Sequence, residues 1–316
     1  MKRRIILELI VIVLVCTGCK INSDGEVSSS LKINYINSEY LEKTVFIDND
    51  ELNYPTDIVC TEQLIYVVNQ GNSNILTFDL KGELIDSFGK YGQGNSEFTN
   101  PQAISINDEN IFVVDRDSCR IQVFDKKYNF IKEIIIDSLK NSNDVHALDL
   151  EVDNQGNIYL TVEGVIPKLL KIYKINSDGD IKKIGKELIG VMDRSTDDEI
   201  FFTPTYEVFE TKEQLGYRSG KSFVSIINNS VEKKFDLTTK YTPTSIHLTE
   251  DRIYLFSNYM KQIDEFLFDG SYVSTLFREN PSDENDGMTH MDMYKDCFYM
   301  TDSKKNVIYM FKPQGD

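Results

Sequence analysis

Residues 101–125 read PQAISINDENIFVVDRDSCRIQVFD. Pro101 disfavours helix in the residue ahead of it. Ile104 and Phe112 mark two short apolar runs, Asp115 ends the second, and Phe124 lies in a third. Alternation within the runs is that of half-buried strands. Aromatics in the place of Phe112 return at Tyr66, Tyr159, Tyr254 and Tyr299, so that the five are separated by 46, 47, 95 and 45 residues. The long step is two of about 47, which puts a sixth, degenerate unit between Tyr159 and Tyr254; such a period belongs to β-propeller blades. Six blades of about 46 residues need about 276, and residues 31–316 supply 286. The repeat predicts an all-β chain folded as a six-bladed β-propeller and leaves the ligand open.

Each position in the repeat recurs with one residue type. Eleven residues before the central aromatic stand Pro55, Pro101 and Pro243; eight before it stand Ile58, Ile104, Ile246 and Met291. Three after it come Asn69, Asp115, Ser257 and Asp302, short polar side chains that bond local backbone in turns. Twelve after it come Phe78, Phe124, Phe266 and Phe311, the second core aromatic of each blade. Turns at Lys81-Gly82-Glu83 and Asp178-Gly179-Asp180 join third strands to fourth. After Phe311 the last blade lacks an outer strand, and Lys43-Thr44-Val45-Phe46-Ile47 has the pattern to supply it, closing the ring. The fourth blade, read as residues 198–240, replaces the regular spacing with Phe201, Phe202, Tyr206, Val208, Phe209 and Tyr217.

The run Val113-Val114-Asp115-Arg116-Asp117-Ser118-Cys119-Arg120-Ile121-Gln122-Val123-Phe124-Asp125 resembles one half of the NHL repeat, and Phe88 to Gly94 with Glu97, Phe98 and Pro101 resembles the other. The likeness is specific in blades one and two, weaker in five and six, and nearly absent in four. Together with the leader, the chain is most similar to six-bladed-propeller lipoproteins of Gram-negative envelopes. That resemblance implies the fold and carries little about function.

The leader has Lys2-Arg3-Arg4, an apolar run from Ile5 to Val15 interrupted by Glu8, then Cys16-Thr17-Gly18-Cys19. This is the form of a secretory signal, too short for a membrane span. Thr17-Gly18-Cys19 resembles a bacterial lipobox. The expected organisation is a signal peptide at 1–18, a lipid on Cys19, a flexible tether at 19–30 and the propeller at 31–316. The expected location is the cell envelope, held to the outer membrane by the lipid.

The whole chain carries a formal charge of −17. A field of that sign opposes phosphate backbones, so nucleic acid is not an expected partner. Cys60, Cys119 and Cys297 read as small buried residues near strands. Gly216 to Ser222 has one residue too few between its glycines for a phosphate loop, and Asn176 to Asp180 fits a turn better than a calcium loop.

His146, His247 and His290 each fall near the start of a blade, where the first strand lines the channel. Three imidazoles there could hold a metal, as zinc is held in a six-bladed amidating lyase related to the NHL family. Their registers differ, by thirteen, seven and nine residues before the central aromatic, which sets His146 and His247 about 20 Å apart along an extended strand. The expectation is therefore a binding protein, taking a small molecule, peptide or protein at the channel mouth. That face would be framed by loops at residues 89–100, 138–144, 193–203 and 280–289. Tyr91, Gln93, Arg116, Arg120, Phe202 and Tyr206 are its candidate contacts. The alternative is a metal-dependent lyase or hydrolase in the channel. No cofactor is expected beyond the lipid on Cys19; zinc or calcium enters only with the alternative.

Overall fold

The computed structural model describes residues 40–118, 120–136, 145–164, 171–186, 188–210, 215–219, 223–227, 230–239, 241–279 and 287–314. Six antiparallel sheets account for its strands. Blade one is β2 (Pro55–Cys60), β3 (Leu64–Asn69), β4 (Asn74–Asp79) and β5 (Leu84–Phe88); blade two is β6 (Pro101–Ile106), β7 (Asn110–Asp115), β8 (Arg120–Asp125) and β9 (Phe130–Ile135). Blade three is β10 (Val145–Val152), β11 (Ile158–Gly164), β12 (Lys171–Ile175) and β13 (Ile181–Lys186). Blade four is β14 (Leu188–Arg194), β15 (Ile200–Glu210), β16 (Leu215–Ser219), β17 (Phe223–Ile227) and β18 (Val231–Asp236). Blade five is β19 (Ser245–Leu248), β20 (Ile253–Ser257), β21 (Gln262–Phe266) and β22 (Tyr272–Arg278). Blade six joins β23 (Met288–Tyr294), β24 (Cys297–Asp302) and β25 (Val307–Pro313) to β1 (Leu41–Asp48), so the N-terminal strand closes the ring as its pattern predicts. Lys43 pairs with Phe311 in that register and fixes it further by an ion pair to Glu279 at 2.9 Å.

The innermost strands pack in sequence, β2 on β6, β6 on β10, β10 on β14, β14 on β19, β19 on β23, and β23 back on β2. The core lies between blades. Tyr66, Val68 and Phe88 of blade one meet Ile104, Val113 and Phe124 of blade two, and Ile47, Ile308 and Tyr299 of blade six meet Ile58 and Phe78 of blade one. Phe78, Phe124, Phe266 and Phe311 are all fully buried. Each such side chain contributes about 1.5–3 kcal/mol by leaving water.

In blades one, two and six the recurring polar residue at the end of the second strand pins the loop that leads into the blade. Asp115 accepts hydrogen bonds from the Thr99 and Asn100 amides at 3.0 and 2.8 Å, Asn69 from the Asn53 amide at 2.6 Å, and Asp302 from the Gly287 amide at 2.9 Å. The segment at residues 88–101 has a packing role. Phe98 is buried against Phe124, and Gly89, at φ +89°, leaves no room for a side chain, since a Cβ there would stand 2.5 Å from the Phe98 ring.

Blade four corrects the sequence reading in two respects. Its innermost strand starts at Leu188, ahead of the expected 198, and its central aromatic is Phe201, so the step of 95 divides unevenly into 42 and 53. The extra length is a β-hairpin: the first part of β15 pairs with β17, and from Tyr206 onward it pairs with β16. Phe201 and Phe202 are fully buried. Phe202 packs with Tyr159, Ile172 and Ile200 in the core and offers no surface for capture.

Candidate functional site in the channel

An innermost strand has a partner on one side only, which leaves alternate backbone N–H groups facing the channel without a ladder. Side chains from the neighbouring blade take them. Asp57 accepts from the Ile104 amide at 2.8 Å, Asp149 from Met192 at 2.8 Å, Asp193 from Leu248 at 2.6 Å, and Asp292 from Cys60 at 2.6 Å. In each of these four the other carboxylate oxygen accepts the amide of the next residue in its own strand, at 2.7–2.9 Å. The two remaining junctions use hydroxyls: Ser245 accepts from the Met291 amide at 2.9 Å, and Ser105 donates to Glu151 at 2.9 Å. All six blade junctions are tied in this way.

The clasps alternate between two levels. Flanking the buried residues Ile58, Ile104, Leu150, Met192, Ile246 and Met291, the preceding position holds Asp57, Ala103, Asp149, Val191, Ser245 and His290. The following position holds Val59, Ser105, Glu151, Asp193, His247 and Asp292. Most of these line one cavity of about 810 Å³, which extends past the ends of the innermost strands to Thr61, Glu62, Asn107, Asp108 and Tyr294. It thus opens at the turns between first and second strands. The loop at residues 89–100 lies at the other end of these strands, and residues 195–199, expected to join blades, are a turn on the cavity side. The loops at 138–144 and most of 280–289 lie outside the described residues.

Burial raises four of the cavity's carboxyls. Asp57 is pushed up to about 6, with the charge of His290 opposing; Asp193 is pushed up to about 7, with His247 opposing. Asp149 is raised for the same reason, and Glu151 is raised well above the usual range by burial and by repulsion from Asp193 and Asp149. His247 loses by burial but gains more from its carboxylate neighbours: Nδ1 lies 2.8 Å from Asp292 and 3.7 Å from Asp193, and the ring is raised above 6.5. His290 Nδ1 lies 2.8 Å from the Thr56 carbonyl, which can only accept, so Nδ1 carries the proton. Among the described lining residues the two with a lysine or arginine side chain are engaged at the rim. Arg194 donates to the carbonyls of Val152 and Ile106 at 3.0 and 3.2 Å, and Lys126 to that of Asn107 at 2.6 Å.

Of the residues singled out in the sequence, His247 and His290 line this cavity and His146 does not; it sits 3.5 Å from Asp117 at the start of β10. Among the described residues no group of three or more His, Cys, Asp or Glu side chains is arranged to hold a metal ion. Tyr91 is 75 % exposed and Gln93 is exposed, both on the loop at the other end, and Arg116 follows β7 at that end too. Arg120 is buried: it bonds the Gln93 and Glu97 carbonyls at 2.8 and 2.6 Å and pairs with Asp115 and Glu133 at 3.4 and 3.3 Å, which makes it a loop anchor. Tyr206 lies on β15, with its side chain outside the described residues, as is Cys19. The carboxylates were missed, although a signal exists: nine and seven residues before the central aromatic stand Asp57 and Val59, Ser245 and His247, His290 and Asp292.

No curated protein matches the sequence. Solved structures share the fold. A catalytically inactive virginiamycin B lyase from Staphylococcus aureus, with quinupristin, has a TM-score of 0.58 at 11 % identity, over 86 % of this chain and 99 % of that one. A gluconolactonase from Xanthomonas campestris has 0.59 at 10 %, over 86 % and 89 %. A putative exported protein from Bacteroides fragilis has 0.57 at 10 %, over 87 % and 95 %. At these identities the likeness is one of fold. Residues 17–212 match the family DUF5128, described as a 6-bladed beta-propeller, and the chain belongs to that family.

Proposed function

We propose that the chain is an exported lipoprotein, tethered to the outer membrane through Cys19, whose propeller binds a small polar molecule in the channel cavity. The cavity carries the reading. Its volume, about 810 Å³, falls in the range of about 300–1,000 Å³ usual for small-molecule sites. Its lining sets the class of ligand. Asp57, Glu62, Asp108, Asp149, Glu151, Asp193 and Asp292 face it, while Lys126 and Arg194 are spent on carbonyls, so an anion is disfavoured and an uncharged or cationic molecule is admitted. The fold is shared with a lyase and a lactonase, whose names denote small-molecule chemistry, and with an exported protein, which supports export.

The test is native mass spectrometry of the mature domain after incubation with the low-molecular-mass fraction of the producing cells. Wild type should retain a small molecule. A variant with Glu62→Trp and Asp108→Trp, both at the mouth, should lose it while melting as wild type does. Retention by both proteins alike would place the ligand elsewhere.

A further inference from the structure

His247 has the surroundings of a proton carrier. Asp292, on the next blade of the same ring, holds its Nδ1 at 2.8 Å, and Asp193, on the preceding blade, lies 3.7 Å away. Both carboxylates are fixed: Asp292 by the Met293 and Cys60 amides at 2.7 and 2.6 Å, Asp193 by the Arg194 and Leu248 amides at 2.7 and 2.6 Å. A carboxylate accepts, so Nδ1 bears a proton and Nε2 is the atom left to gain or lose one. His247 lines the cavity. A cavity-lining imidazole held at one nitrogen by a fixed carboxylate, with its second nitrogen left to exchange a proton, is the arrangement general acid–base catalysis requires.

The proton it moves does not come from the cavity's own candidate nucleophiles. Burial pushes the Cys60 thiol well above its ordinary value, so the thiolate is scarce. The Ser105 hydroxyl donates to Glu151 at 2.9 Å, and that of Ser245 lies between the amide and carbonyl of Met291 at 2.9 and 3.3 Å. The Thr61 hydroxyl donates to the Leu64 carbonyl at 2.9 Å, that of Tyr294 to the Glu62 carbonyl at 3.4 Å, and burial raises the Tyr66 phenol, which leaves water as the proton donor that can also attack.

We propose that the cavity is a hydrolytic site in which His247 acts as general base through Nε2, Asp292 positions its ring, and the substrate is a small uncharged ester or lactone. This rests on the cavity being the ligand site. The neutral Nε2 takes a proton from water as the water oxygen bonds to the carbonyl carbon. The bond from that carbon to the alkoxy oxygen breaks, its electron pair stays on the oxygen, and Nε2 returns the proton there. Ester and water become acid and alcohol, with no change of oxidation state. Asp292 balances the imidazolium formed between the two transfers.

The groups facing His247 set its pH response. Asp193 and Asp292 favour the charged ring, while Tyr254, opposite it in the β19–β20 register, stays neutral because burial pushes the phenol up to about 12. The base form therefore prevails only above a midpoint higher than 6.5.

The probe is p-nitrophenyl acetate, a small uncharged ester, with the mature domain. Wild type should hydrolyse it faster than buffer does, with a rate that rises through a midpoint above 6.5. His247→Gln, or His247→Asn if the first variant melts early, should lose at least about tenfold, and His146→Gln should lose nothing. Asp292→Asn should move the midpoint down, a change that a purely structural role would not produce. No rate above buffer, or equal rates in wild type and both His247 variants, would overturn the proposal. If the rate vanishes with Glu62→Trp and Asp108→Trp yet survives His247→Gln, the base assignment fails and the cavity stands as the site. If it survives the blocked mouth as well, both fail.

Discussion

The Nδ1 nitrogen of His247 and the Oδ1 oxygen of Asp292 lie 2.8 Å apart across the junction of blades five and six. The other oxygen of the same carboxylate accepts the Cys60 amide of blade one at 2.6 Å. One side chain thus takes part both in closing the ring and in orienting His247, one of the cavity's two histidines. The protonation of the cavity and the stability of the ring are coupled through the clasp carboxyls Asp57 and Asp193.

That coupling gives stability an unusual pH dependence. Asp57 and Asp193 hold their protons up to about 6 and about 7 in the fold, against 3.8 ordinarily, so across that window the folded state binds more protons and raising the pH costs stability. His247 acts in the same sense: its raised value stabilises the fold fully below 6.5, and that contribution is lost as pH rises through the folded value. For Asp57 alone the effect is on the order of 3 kcal/mol. Melting temperature should fall by about 5 °C between pH 5 and pH 8, and Asp57→Asn should flatten the slope. A melting temperature that is level or rises over this range would contradict the account.

Closure depends on β1. A chain starting at residue 49 lacks the whole strand, which exposes the edge of β25 and removes the Lys43–Glu279 pair. It should aggregate or melt at least several degrees lower. A chain starting at residue 31 should melt as one starting at residue 19 does. Size-exclusion chromatography with thermal denaturation separates the outcomes, and equal melting of two monomers would remove β1 from the closing role.

Arg120 and Tyr91 were candidate contacts of one kind, and the fold separates them. Arg120→Ala should cost about 3 kcal/mol, because it strips a buried Asp115 of its ion pair and two loop carbonyls of their donor. Tyr91→Ala, at an exposed site, should stay within about 0.5 kcal/mol of wild type. Urea denaturation measures both.

Lipidation is tested at its own residue. Cys19→Ser should abolish incorporation of radioactive palmitate into the protein and block signal removal by the lipoprotein route. Equal labelling of the two proteins would exclude Cys19 as the acceptor.

The frame of the fold was legible because its packing demands are uniform. Every blade needs an aromatic from its second strand and, in most, another from its third, so Tyr66 with Phe78 and Phe112 with Phe124 repeat at one spacing. Blade four escaped because the β15–β16 hairpin adds residues between the strands that carry Phe201 and Val224. The channel ring was harder to read. A channel-facing amide needs an acceptor but does not specify which, so Asp57, Ser245 and Glu151 fill like roles without repeating a residue type. Blade three adds a residue in the turn after β10, which moves Asp149 to ten before Tyr159. His247 and His290 stood out only because the chain has three histidines.

That scarcity makes the most direct test possible. With the histidine ring carbons isotopically labelled, the three imidazoles give three resonances, which can be followed by NMR as the low-molecular-mass fraction of the producing cells is added. Binding in the channel cavity predicts that the signals of His247 and His290 move together and that of His146 stays in place. Movement of the His146 signal alone, or a bound molecule that moves none of the three, would contradict it.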